Sequence, residues 1–61
     1  MTDGAYKHEV GDPVQKTKGD YTFYGWVVST FKKRTGTKRI VVENAEGILH
    51  IFNEDQLESW K

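Results

Sequence analysis

The chain has no cysteine and a single proline among its 61 residues. Without cysteine it forms no disulfide, and the spacing of its two histidines, His8 and His50, does not suggest a structural zinc site. A domain of this length buries only about 60% of the surface that its unfolded chain exposes. Since neither covalent nor metal stabilisation is available, we expect additional burial to come from self-association.

The sequence also lacks an excess of either charge and any long apolar run. Nine basic and nine acidic residues cancel, so bulk charge does not hold the chain to nucleic acid or to an anionic membrane. No apolar run approaches the roughly 20 residues of a membrane span, and the first residues lack the basic and apolar regions of a signal peptide. We therefore expect a cytoplasmic protein with no membrane partner and no metal.

What the chain does contain is a series of short strand-like segments separated by turns. Aromatic and β-branched residues alternate with polar ones, and glycine or asparagine marks the breaks. The pattern predicts strands over residues 13–18, 22–33, 38–43, 48–52 and 57–60, with a single 3₁₀ turn at 53–56. The predicted fold is all-β, a small SH3-like five-stranded barrel over residues 10–61 that follows a flexible N-terminal tail, residues 1–9.

The predicted strand at residues 48–52 carries the candidate site chemistry. Because side chains alternate along a strand, Leu49 and Ile51 share one face, which we expect to be core. Ile48, His50 and Phe52 share the other face, where an imidazole lies beside a large ring. A small monomer has no second core to cover both groups, so we expect another copy of the chain or a ligand to cover them.

General enzyme motifs are absent from the sequence. No serine or cysteine is placed to form a triad with either histidine, and there is neither a P-loop nor a Gly-x-Gly-x-x-Gly motif. Glu54 and Asp55 lie in a predicted turn, where we expect them to cap it or face solvent.

A predicted hairpin carries five positive charges, Lys32, Lys33, Arg34, Lys38 and Arg39. Two interpretations are open for it. It is either a solvated hairpin tip or a finger that contacts phosphates, with Phe31 and Tyr24 as nearby faces on which bases could stack.

Three groups of residues together resemble a known family, the plasmid-borne type II (type B) dihydrofolate reductases, which are insensitive to trimethoprim and have an SH3-like protomer. In order and approximate spacing they are Gly11-Asp12-x-Val14-x-Lys16, then Gly25-x-Val27-Val28, then Gly47-x-Leu49-His50-Ile51-Phe52 with the trailing Gln56-Leu57-Glu58. Where the family strand reads Val-Gln-Ile-Tyr, this chain has Leu49-His50-Ile51-Phe52.

The resemblance implies an NADPH-dependent dihydrofolate reductase that acts as a homotetramer, with NADPH and dihydrofolate held together in a central pore. It implies that His50, Ile51 and Phe52 are the catalytic strand, that Lys16, His50 and Ile51 bind the cofactor, and that Lys16, His50 and Phe52 bind the substrate. Lys16 would stand at the pore mouth, and the Ile51 backbone would hold the nicotinamide amide. The family histidine linked to tetramer assembly corresponds to Ala45 here.

A second hypothesis comes from a different functional class. The chain could be a non-catalytic SH3-like module that binds a protein or a nucleic acid through Phe31, Tyr24 and the basic hairpin. The motif of peptide-binding SH3 domains is missing, which disfavours a proline-rich ligand. Oligomeric state separates the two hypotheses, because a monomer does not build a pore.

Overall fold

A computed structural model, which describes residues 7–60, shows five antiparallel strands in one sheet. The strands are β1 (Pro13–Lys16), β2 (Phe23–Lys32), β3 (Lys38–Glu43), β4 (Leu49–Asn53) and β5 (Glu58–Ser59). Their order across the sheet is β4-β3-β2-β1-β5, and the sheet does not close between β4 and β5 within residues 7–60. The all-β prediction is confirmed, as a small barrel-like domain whose two outermost strands remain edges.

The predicted 3₁₀ turn before the last strand is also confirmed, at Glu54–Gln56. The backbone N–H of Asn53 donates to the side-chain oxygen Oε1 of Gln56 at 2.7 Å. This bond joins the residue that precedes the turn to its last residue, and it is the side-chain-to-backbone bond of a capping box. The turn redirects the chain from β4 at one edge of the sheet to β5 at the other.

One face of the sheet forms the hydrophobic core. Among residues 7–60, the buried apolar residues are Val14, Phe23, Val27, Ile40, Val42, Phe52 and Leu57. On β3 the alternation is simple, because Ile40 and Val42 are fully buried while Arg39, Val41 and Glu43 point to the other face. The core is small, so each of these side chains carries a large share of the burial.

Strand β2 contains a β-bulge that the sequence did not predict. Val27 pairs with Val42 and Ser29 pairs with Val41, so Val28 is the extra residue of β2 between these two pairs. The bulge shifts the alternation, so Ser29 and Phe31 lie on the same face as Trp26. Without the bulge, strict alternation would place Trp26 on the same face as Val28 and Thr30.

Residues 7–9, which the sequence assigned to the flexible tail, contact the domain. The backbone N–H of Lys7 donates to the Glu54 carboxylate at 2.6 Å, and His8 is only 7% exposed. The Nε2 atom of His8 is buried and has no hydrogen-bond partner among residues 7–60. The rest of the predicted tail, residues 1–6, lies outside the described residues, as does Lys61. Within the part of the chain that is described, no helix is long and apolar enough to cross a membrane.

At Gly25, strand β2 leaves no room for a side chain beside β3. A Cβ atom at this position would lie 2.3 Å from the carbonyl oxygen of Glu43 and 2.8 Å from Cγ1 of Val42. The first contact is with backbone, which cannot rotate away as a flexible side chain can. A glycine inside a strand is typical of such a close backbone approach.

We expect Gly25→Ala to destabilise the protein by about 3 kcal/mol or more, because the added methyl forces β2 and β3 apart. Gly11→Ala is the matched control, since a Cβ there meets nothing within 4 Å and only the positive φ of 97° opposes it. That strain costs about 1–2 kcal/mol. Chemical denaturation measures both values, and equal losses would contradict the steric explanation.

Candidate functional site

The imidazole of His50 lies in a cluster of aromatic rings at the edge of the core. It stacks on Phe23 with ring centroids 4.3 Å apart and planes at 18°. The ring of Tyr21 meets it edge-on at 5.9 Å, and the ring of Phe52 lies 5.8 Å away. His50 is half-buried, so the residue keeps some access to solvent or to a ligand. We call Tyr21, Phe23, His50 and Phe52 the ring cluster.

Lys16 belongs to the same neighbourhood, but its charge is directed into its own chain. Its Nζ atom donates to the backbone oxygen of Tyr21 at 3.0 Å and lies 3.6 Å from the centre of the Tyr21 ring. The residue is 7% exposed. A lysine buries its charge at this cost only when the ammonium finds such partners, here a carbonyl and a cation–π contact. The expectation that Lys16 is presented at the mouth of a pore is not met in the single chain.

The two faces of β4 are the reverse of the prediction. Phe52 is 3% exposed and belongs to the core, where it contacts Phe23. Leu49 and Ile51, which we expected in the core, are 56% and 51% exposed. The face that needs cover therefore carries Leu49 and Ile51 rather than His50 and Phe52. The alternation along β4 was predicted correctly, but the ring of Phe52 fills the core in place of Leu49 and Ile51.

The backbone of Ile51 is directed to the open edge of the sheet. In the turn between β3 and β4, the N–H of Asn44 donates to the carbonyl of Ile48 at 3.0 Å, which makes this a hydrogen-bonded pair. Because such pairs alternate along an antiparallel ladder, Val42 with His50 and Ile40 with Phe52 are also hydrogen-bonded pairs.

Val41 and Ile51 are then a non-hydrogen-bonded pair, which leaves the N–H and C=O of Ile51 pointing away from β3. The hairpin between β2 and β3 independently indicates the same alternation of backbone directions along β3. Lys33 N–H donates to the Thr37 carbonyl at 2.8 Å, so Val41 and Arg39 direct their backbone groups to β2. Within residues 7–60, the one contact to the Ile51 carbonyl is a long one, from Nη2 of Arg39 at 3.4 Å.

The second face of the sheet, which we call the outer sheet face, carries many exposed apolar side chains. Its central rows, read from β2 to β4, are Trp26–Glu43–Leu49, Ser29–Val41–Ile51 and Phe31–Arg39–Asn53. Trp26 meets Trp60 edge-on at 6.0 Å, and the Trp60 indole N–H donates to the Gly25 carbonyl. The bulge brings Phe31 to the same face as Trp26.

The basic hairpin is exposed at its tip, as expected. Phe31, which is 40% exposed, adjoins Lys32 at the base of the tip. Tyr24 does not join them, because it lies seven residues earlier on β2 and pairs with Gln15 at the other end of the strand. An open cleft beside the hairpin is lined by Gly36, Thr37, Lys38, Asn53, Glu54 and Asp55, of which only Lys38 belongs to the predicted basic group.

Within residues 7–60, no three His, Asp or Glu side chains converge in a way that could hold a metal ion. Comparisons with protein-family models, with curated proteins and with solved structures find no match to this chain. The candidate site is therefore defined by its geometry, namely the half-buried His50 and the outward backbone of Ile51 on an edge strand.

Replacing Lys16 tests whether its ammonium stabilises the fold. We expect Lys16→Met, which keeps the apolar stem, to lower the free energy of unfolding by about 1–3 kcal/mol, since a buried hydrogen bond and a cation–π contact are lost. Lys18→Met is the matched control on an exposed neighbour, with an expected change within about 0.5 kcal/mol. Urea denaturation gives both values, and indistinguishable variants would show that the Tyr21 contacts contribute nothing.

Proposed function

We propose that this protein is a cytoplasmic, NADPH-dependent dihydrofolate reductase of the trimethoprim-insensitive type, which acts as a homotetramer around a central pore. The observation that carries the proposal is the outward backbone of Ile51 beside the half-buried ring of His50. These are two of the positions at which the resemblance to the type II reductases assigns ligand contacts. The outward direction of the Ile51 backbone follows from the alternation of hydrogen-bonded pairs between β3 and β4, and it does not depend on the resemblance.

The outward groups of Ile51 suit a carboxamide ligand. A backbone N–H and C=O on the same residue of an edge strand offer one donor and one acceptor, and a primary amide such as that of nicotinamide offers the complement. The open edge of His50 lies one residue away and can donate and accept hydrogen bonds to a second ring. NADPH, when bound, supplies the hydride.

The remaining predicted contacts fit less well. Phe52 is buried in the core, so its side chain would act by supporting the ring cluster rather than by touching dihydrofolate. Lys16 would meet the phosphates of the cofactor or the glutamate tail of the substrate only after leaving the Tyr21 carbonyl. The fit therefore depends mainly on His50 and Ile51.

Catalysis would depend on positioning. His50 and Ile51 would hold the nicotinamide and the pterin in contact. Holding two reactants together lowers the activation barrier substantially without any acid or base from the protein. Phe23 stacks on His50 and fixes the orientation of its ring. The proton would come from water.

We expect the purified chain to be a tetramer by light scattering and to oxidise NADPH only when dihydrofolate is present, with no inhibition by trimethoprim. His50→Ala should lose about tenfold or more of kcat/KM, since each lost hydrogen bond to a ring contributes about 0.5–1.5 kcal/mol. His50→Gln is the matched control, because it keeps a donor and an acceptor and should retain activity. A stable wild-type tetramer that leaves NADPH unchanged would refute the proposal.

One observation favours a second candidate function, a non-catalytic binding module. Phe31 and the exposed side chains of Lys32, Lys33 and Arg34 form a protruding tip with a ring beside three positive charges. Such a tip suits a single-stranded nucleic acid, whose bases stack and whose phosphates attract cations.

In that case we expect a fluorescent single-stranded oligonucleotide to bind with an affinity that falls steeply as salt increases, since phosphate contacts release counterions. Lys33→Glu should weaken the binding, while Lys18→Glu, on a different loop, should leave it nearly unchanged. Fluorescence anisotropy measures both. Binding that is insensitive to salt, or equal for the two variants, would count against this function.

A further inference from the structure

The outer sheet face is too apolar to be a simple solvated surface. Trp26, Phe31, Leu49 and Ile51 are all between 40% and 56% exposed, and they surround Val41 on the middle strand. Soluble monomers rarely expose contiguous apolar patches of this kind, and those that occur usually mark an interaction site. The seven-residue core on the other face leaves this small domain with much apolar area still unburied.

The charges on this face form a short symmetric pattern. Along β3 the outward residues are Arg39, Val41 and Glu43, so a cation and an anion stand on either side of an apolar centre. Each is about 6.8 Å from Val41 along the strand, at about 3.4 Å per residue. Among residues 7–60, the Glu43 carboxylate accepts no hydrogen bond and forms no ion pair, although Trp26 and Leu49 flank it in its row.

This pattern is complementary to itself under one rotation only. If a two-fold axis lies in the plane of the interface and runs perpendicular to β3 through Val41, it places Arg39 of one copy opposite Glu43 of the other, twice. The row of Trp26 then faces the row of Phe31, and Ile51 faces Ile51. A two-fold axis parallel to β3 would instead place Arg39 on Arg39 and Glu43 on Glu43, which like-charge repulsion disfavours.

We propose that two copies of this chain pack their outer sheet faces against each other around Val41, forming a two-sheet sandwich in which Arg39 of each copy pairs with Glu43 of the other. Aligned sheets pack about 10 Å apart, a distance that the long side chains of arginine and glutamate bridge. The position of Glu43 between Trp26 and Leu49 disfavours a nucleic acid as the occupant, because a phosphate chain crossing these side chains would meet its negative charge.

The inference does not depend on reductase activity. A tetramer with three perpendicular two-fold axes needs at least two kinds of two-fold interface, and the outer sheet face supplies one of them. The open edge of β4, with the outward backbone of Ile51, remains free for another contact. A dimer without activity would therefore refute the proposed function and leave the sandwich standing.

Charge reversal tests the pairing directly. Arg39→Glu alone, or Glu43→Arg alone, places like charges together at both ends of the interface, and we expect the dissociation constant of the dimer to rise at least tenfold, or about 1.4 kcal/mol. The double variant R39E/E43R restores opposite charges, so it should return to within about threefold of the wild-type value. Lys33→Glu, at the hairpin tip, is the matched control for the change of charge and should have no effect.

Mixing the two single variants gives a second measurement that does not depend on the double variant. On β3 the Arg39→Glu variant presents two acidic side chains and the Glu43→Arg variant presents two basic ones. The two variants should therefore form a heterodimer with each other, although neither self-associates well. Analytical ultracentrifugation of each sample and of the mixture reads the result, with circular dichroism to verify that each variant is folded. A monomeric wild-type chain, single variants that dimerise normally, or a mixture that does not associate would each overturn the proposal.

Discussion

The rest of this domain depends on which residues of β3 bond to β2 and which bond to β4. Arg39 and Val41 direct their backbone groups to β2, while Ile40 and Val42 direct theirs to β4. The same alternation sends the Ile40 and Val42 side chains into the core and leaves the others outside. A single strand of six residues thus fixes which side chains of both neighbours are buried and which backbone groups at the edge remain open.

Much of the fold could be predicted from the sequence, because the signals for it are local. Lys38–Glu43 was predicted to the residue, and the other strands differ by one or two residues at their ends. Ile40 and Val42 alternate with Arg39, Val41 and Glu43, which is a pattern of period two. The 3₁₀ turn follows from Asn53 and Gln56, which bond to each other. These features need no knowledge of the remainder of the chain.

The site was harder to predict because it depends on contacts between distant residues. Both faces of β4 carry large apolar side chains, so composition did not decide which face is core. Phe23 and Ile40 decide it, since Phe52 pairs with Ile40 and meets the Phe23 ring. Likewise, the alternation of β1 places Lys16 on the same face as the core residue Val14, while its charge favours the surface. Contacts with the carbonyl and the ring of Tyr21 explain why Lys16 is buried. The bulge at Val28 has no local signal, yet it moves Phe31 to the outer face.

The size of the core connects the fold to assembly. Conformational entropy opposes folding by about 1–2 kcal/mol for each ordered residue, and seven buried apolar side chains offset only part of that cost in a chain without disulfides. The exposed Trp26, Leu49 and Ile51 of the outer sheet face are therefore apolar surface that a single copy does not bury. When copies bind only in the folded state, their association stabilises folding by mass action. The stability of this domain should then increase with its concentration, as it does for proteins whose folding and assembly are one process.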